Sequence, residues 1–114
     1  MPDPIPFNLK PVELWILTVL AGGERHGYGI RQDVLEQTEG RVEIEAGNLY
    51  RLLRRLEDDS LVAEAPAPRN ETDPRRIYYR LTPAGRRTLA AELARLRHLV
   101  RVAEQQGILG AAGA

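Results

Sequence analysis

The stretch Val12 to Ala21, VELWILTVLA, restricts the fold more than any other part of the chain. Pro11 suits the first turn of a helix, and only Glu13 and Thr18 interrupt the apolar surface that follows. A helix that is apolar all round must be covered all round. The chain has 114 residues, enough for one domain with a modest core. Such a domain covers one side of the helix readily. The other side then calls for a partner, unless the chain itself wraps the helix completely. Gly22-Gly23 should end it.

A second helix is legible in Ile44 to Leu56, IEAGNLYRLLRRL. Leu49, Leu52, Leu53 and Leu56 recur at helical spacing and mark a buried face. Asn48, Arg51, Arg54 and Arg55 occupy the opposite face, with Tyr50 on the flank. Arg can donate a bidentate pair to guanine, and Asn can make one with adenine; both also bind phosphates. A solvated face on an ordinary amphipathic helix has the same pattern. Upstream, HGYGI (His26 to Ile30) opens a helix with Ile30, Val34 and Leu35 on its buried face and Gly40 as its stop. The loop Arg41 to Ile44 then joins two short helices, the second carrying Asn and Arg outward, which describes a helix-turn-helix. His26 has no second His, Cys or Asp at useful spacing, so it supports the turn or the start of its helix rather than a metal or a reaction.

Leu61 to Ala65 reads as a short strand. Arg75 to Leu81 alternates, with Ile77, Tyr79 and Leu81 on one face and Arg76, Tyr78 and Arg80 on the other. The Pro-rich loop between them makes a hairpin, a wing whose tip and outer face carry Arg69, Arg75 and Arg76; Glu71 and Asp73 dilute that charge. Thr82-Pro83 is a strong helix start, and the helix should run to about Gln106, with Gly107 as its end. Leu89, Leu93, Leu96, Val100 and Ala103 form a coiled-coil-like seam of about two heptads, widened by Leu99 and Val102. A helix this long overhangs a small winged domain, so its seam needs a partner or must fold back on its own chain.

The formal net charge is zero, which does not by itself advertise nucleic-acid binding. Its distribution does more. Residues 1–50 carry four basic and eight acidic side chains, and residues 51–114 carry twelve basic and eight acidic. The basic excess therefore begins inside the Asn- and Arg-bearing helix. Cysteine is absent, which excludes disulfides and thiolate metal sites. There are no paired carboxylates in a pocket-like context, no nucleophile with its base, and no phosphate loop. Neither an enzyme nor a cofactor is expected. No stretch reaches a membrane span and no signal peptide is visible, so a cytoplasmic protein is expected.

In this order, His26-Gly27-Tyr28-Gly29-Ile30, Gly47-Asn48-Leu49-Tyr50, Arg55-Leu56-Glu57 and Arg76-Ile77-Tyr78-Tyr79-Arg80-Leu81-Thr82 with Gly85 resemble the PadR family of bacterial transcriptional regulators, in its short-chain branch. The likeness runs from Val12 to about Ala103. It implies an α+β fold, mainly α with a small β-hairpin: a winged helix-turn-helix at residues 9–81 and a dimerisation helix at 82–107, between a flexible arm (1–8) and tail (108–114). It implies a homodimer bound to a pseudo-palindromic DNA operator, in many members as a repressor of stress or efflux genes. Asn48, Tyr50 and Arg51 would contact bases. Arg54 and Arg55 would contact phosphates or act as intramolecular partners, and Arg75 and Arg76 would serve from the wing. Leu14, Trp15, Leu89, Leu93, Leu96 and Val100 would build the dimer interface. A winged-helix module for protein contact, without DNA, is the alternative.

Three residues depart from the family pattern. Glu45 stands where Ser or Thr usually caps the recognition helix, Asn48 where Thr is frequent, and Ser60 where Gly usually follows that helix. A left-handed turn at Ser60 would be strained, so a reshaped helix end is expected. Some members bind flat aromatic drugs through a Trp on the last helix, but here that helix has no aromatic residue. The sole Trp, Trp15, is on the first helix. Any effector pocket should therefore be small and apolar, beside Trp15, Thr18, Leu93 and Leu96.

Overall fold

A computed structural model describes residues 9–110. The elements run α1 (Pro11–Ala21), β1 (Arg25–His26), α2 (Gly27–Gln37), α3 (Ala46–Asp58), β2 (Val62–Ala65), β3 (Tyr78–Leu81) and α4 (Pro83–Gln105). The architecture is the expected α+β winged helix-turn-helix, with four helices and a small antiparallel sheet. The expected arm at 1–8 and the last four residues of the tail lie outside the described residues.

The core sits where α1, α2 and α3 meet beneath the sheet. Ile16 and Leu17 of α1, Ile30 and Val34 of α2, and Leu49 and Leu53 of α3 are its buried centre. The helical spacing of the leucines in α3 becomes a sharp division: all four are buried while Arg51, Arg54 and Arg55 are exposed. Leu35, expected inside, is only half-buried.

The turn between α2 and α3 is fixed by polar contacts. Thr38 Oγ1 donates to the Val34 carbonyl at 2.8 Å and accepts from the Val42 amide at 3.0 Å. Arg31 Nε donates to the Ile44 carbonyl at 2.6 Å, fastening α2 to the entry of α3. Glu39 and Gly40 take left-handed φ values of 55° and 82°.

The sheet has three strands in the order β1-β3-β2, one more than the hairpin read from sequence. Arg25 and His26 pair with Tyr79 and Tyr78 before the helix begins. His26 has two tasks there: its backbone extends the sheet, and its Nδ1 accepts the Gly29 amide at 3.0 Å as the N-cap of α2. The structural role expected for this histidine is thus the observed one. The second strand of the wing is shorter than its alternation suggested. It starts at Tyr78, because Asp73 organises a turn through its contacts to Arg75 and Arg76. Ile77 is consequently 45% exposed rather than half-buried.

Helix α3 ends differently from expectation. Ser60 adopts φ 62°, the left-handed conformation that Gly would take without strain. The turn is kept rather than reshaped. The Ser60 amide donates to the Glu57 carbonyl at 2.9 Å and the Leu61 amide to the Leu56 carbonyl at 2.9 Å, so the end of α3 is closed by backbone bonds. A non-Gly residue in this region costs about 1–2 kcal/mol, partly offset because Gly loses more chain entropy on folding. Ser60→Gly should therefore raise unfolding stability by about 0.5–1 kcal/mol, read from urea midpoints at constant m. A lower midpoint would show that the serine side chain contributes more than the strain costs.

Candidate nucleic-acid interface

Three surfaces expected from the sequence are formed by this fold: the outward face of α3, the wing, and the side of α1 and α4. On α3, N-capped by Glu45, the Glu45 side chain makes no capping hydrogen bond and is exposed. One turn on, Arg51 Nη2 donates to Asn48 Oδ1. Tyr50 is 55% exposed. It leans across the start of α2, where a Cβ on Gly27 would meet its hydroxyl at 3.5 Å. Arg54 is exposed on the same side as Arg51.

Arg55 is differently occupied. Its Nε lies 3.7 Å from Oε2 of Glu13, a carboxylate buried within α1. The other oxygen of Glu13 accepts the Lys10 amide at 2.8 Å and closes the first turn of α1. Oε2 has no hydrogen bond, so the Arg55 charge is its only compensation among the described residues. A buried carboxylate is tolerable only when paired, which makes Arg55 an intramolecular partner first. The sequence left both roles open for it.

The wing is a preformed loop. Glu71 has a nearly buried side chain and accepts from Tyr78 Oη, from the Asp73 amide at 2.9 Å and from Arg76 Nη1 at 3.4 Å. Tyr78 in turn packs edge-on against His26, with ring centroids 5.2 Å apart. Arg76 is therefore tethered inward to Glu71. Arg75 pairs with Asp73 at 3.2 Å but keeps 89% of its side chain exposed, and is the outermost cation of the pair. The Tyr78 bond, then the Asp73 amide and the Arg76 charge, draw the Glu71 carboxyl down to about 2 from an ordinary 4.5, while the same bond pushes the Tyr78 hydroxyl up. Sequence alternation gave no warning of the Glu71–Tyr78 contact, which joins a loop residue to a strand residue seven positions later.

On the far side, α1 and α4 enclose an open cleft of about 310 Å³ lined by Pro11, Leu14, Trp15, Thr18, Leu93 and Leu96. All four residues expected to line an effector pocket meet there. Along α4, Leu93, Leu96, Leu99, Val100 and Val102 are exposed in the single chain. Leu89 is not: it is 5% exposed and packed into the chain's own core. Its assignment to an intersubunit seam is corrected, because the first two turns of α4 lie down on the domain before the helix leaves it. Leu14 and Trp15 are half-buried against the same core.

No metal-binding group of three or more His, Cys, Asp or Glu occurs among the described residues, and none of their helices is long and apolar enough to cross a membrane. The sequence pattern of the transcriptional regulator PadR-like family matches residues 16–91. No curated protein matches the sequence. Among solved structures, the chain is similar to a transcriptional regulator from Clostridium thermocellum (26% identity, 82% of this chain and 87% of that one, TM-score 0.68). It is also similar to a PadR family transcription regulator from hypervirulent Clostridium difficile (25% identity, 84% and 97%, TM-score 0.67). A PadR-like transcription factor from Bacteroides fragilis shares 29% identity over 82% of this chain and 87% of its own, with TM-score 0.68.

The wing contacts generate a pH expectation. A carboxyl whose folded pKa is depressed stabilises the fold above its ordinary value, and that stabilisation is lost as pH falls through the folded value. The wing should thus hold through pH 4.5 and loosen only as pH falls from there towards about 2. NMR titration of the Glu71 side-chain carboxyl should give a midpoint near the low end of that window, and Tyr78→Phe should move it back towards 4.5. A wild-type midpoint at the ordinary value would refute the Glu71–Tyr78–Arg76 arrangement.

Proposed function

This chain belongs to the transcriptional regulator PadR-like family, and from that premise we propose that it is a homodimeric DNA-binding repressor. The observation that carries the DNA-binding part is the exposed polar face of α3. Arg51 and Arg54 are exposed, with Asn48 half-buried between them and the helix start, on a helix whose other face is locked into the core. In a helix-turn-helix the second helix enters the major groove with its N-terminal residues on base edges. Here that helix is α3, and α2 crosses the backbone before it. Tyr50 contacts bases or sugar from the flank, and Arg54 contacts phosphates. Arg75 and the tethered Arg76 contact the backbone from the wing, while Arg55 supports α3 through Glu13. Residues 9–81 form the DNA-binding unit.

Residues 82–107 supply the dimer contact. A row of exposed apolar residues from Leu93 to Val102 on one helix is an unusual cost in water for a lone chain. Covering it with a second copy, together with Leu14 and Trp15, removes that cost. The cleft beside Trp15 and Thr18 then lies next to the interface, where a small apolar effector would bias the spacing of the two recognition helices. The operator is a pseudo-palindrome with half-sites about one helical turn, ~34 Å, apart.

Two measurements test this reading. Affinity for duplex DNA should fall steeply with salt, log K declining by about 0.9 per log unit of salt for each phosphate neutralised. Binding that ignores salt, or none at all, would leave a module for protein contact. In parallel, light scattering should give a dimer that Leu93→Glu with Val100→Glu converts to monomers. Both side chains are 40% or more exposed in the single chain, so the fold should survive the change. A double variant that remains dimeric would place the interface elsewhere.

A further inference from the structure

We propose that Arg51, held in place by Asn48, reads a guanine in each half-site, and that Asn48 is a positioning residue acting through Arg51. The inference rests on the DNA-binding reading above and deepens it. Asn48 and Arg51 are the third and sixth residues of α3, within the two turns that a recognition helix presents to base edges. Arg51 Nη2 donates to the Asn48 side chain. Arginine has donors only, so the Asn48 atom that faces it must be the acceptor, Oδ1.

The consequence for readout is chemical. Recognition of adenine by Asn needs both halves of the amide, the N–H for adenine N7 and the oxygen for the N6 amino group. With one lone pair of Oδ1 taken by Arg51, the Asn48 amide is oriented by its own helix rather than by an adenine edge. Guanine presents two acceptors, O6 and N7, which match a guanidinium fork. Arg51 uses one of its five donors on Asn48, and four remain to form that fork. The Asn48 contact fixes the plane of the guanidinium before DNA arrives. A planar base-edge contact depends on such orientation, and the position of Arg51 within the first two turns of α3 places it over base edges rather than at the helix end. Arg55 is drawn to Glu13, and Arg54 makes no hydrogen bond among the described residues. Arg51 is thus the α3 arginine whose fork is set by a neighbour on its own helix.

Site selection from a randomised duplex pool tests this, with preference scored as the ratio of guanine to adenine at each position so that general affinity cancels. The wild type should enrich a guanine at one position per half-site, and 7-deazaguanine there should weaken binding roughly ten-fold or more. Arg51→Ala should lose that preference and become indifferent to 7-deazaguanine. Asn48→Ala should reduce the preference and add nothing in combination with Arg51→Ala. Asn48→Asp, which keeps the acceptor, should restore the ratio. Enrichment of adenine that depends on Asn48 alone would overturn the proposal. So would an Arg51→Ala variant that weakens all sequences alike, since that marks a phosphate contact. If the wild type enriches no site, the DNA-binding reading itself fails, and this inference with it.

Discussion

Three elements of different purpose are tied together at one backbone contact. Gly85 lies so close to Leu61 that a Cβ on it would come within 2.0 Å of the Leu61 carbonyl oxygen and 2.8 Å of Leu81 Cδ1. No side chain fits that gap. The same carbonyl accepts the Thr82 amide at 3.1 Å, and Thr82 Oγ1 donates to the Ser60 carbonyl at 2.7 Å while accepting the Gly85 amide at 2.9 Å. The end of α3, the base of the wing and the start of α4 are therefore one rigid knot. Because the knot is built from backbone and one threonine, it transmits displacement rather than absorbing it. In the proposed dimer, a change in how the two copies of α4 cross would reach α3 through it.

A second tie lies one turn earlier, at Arg55. Glu13 closes the first turn of α1 with one oxygen and holds Arg55 with the other. Only the Glu13 side of this pair is buried, so removal of Arg55 leaves a buried carboxylate uncompensated, whereas Arg55 alone would be solvated. The pair therefore acts chiefly on register, fixing which turn of α3 lies against α1. The Gly85 knot and the Glu13 pair hold the C-terminal half of α3, while the Arg31 bond to the Ile44 carbonyl fastens its entry. Its outward side chains are left to contacts among themselves, as Asn48 and Arg51 demonstrate.

Much of this was legible in the sequence, for reasons that can be traced to particular residues. Period and caps disclosed the helices: the leucines of α3, and Thr82-Pro83 at the start of α4. The departures arise where a residue far along the chain decides the outcome. The two-residue strand at Arg25–His26 exists because Tyr78 and Tyr79 come alongside it, and no local pattern could show that. Leu89 fits the heptad seam in register yet belongs to the core, because periodicity reports a face of a helix and not the point at which the helix leaves its domain. Glu71 looked like diluting charge on a loop, whereas its bonds from Tyr78, the Asp73 amide and Arg76 make it the anchor of the wing. Ser60 was legible as a problem but not in its resolution. The bonds that close α3 outweigh the strain of one left-handed residue.

The neutral net charge takes on meaning in this setting. Screening confines charge effects to about 8 Å at physiological salt, so the proposed complex would feel its local charges rather than the total. Arg51, Arg54 and Arg75 are then the effective cations, and Glu43 and Glu45, exposed beside the start of α3, are the effective anions. A carboxylate at the leading edge of a recognition helix costs little over the floor of the groove, where cytosine amino groups can meet it. It costs far more against a phosphate. Docking shifted by a few ångströms along the helix would bring Glu45 onto the backbone and be penalised. A strongly basic protein binds in many registers because each neutralises phosphates. This chain forgoes that general attraction, and its specificity would rest on the few positions where a fixed arginine fork meets the base it fits.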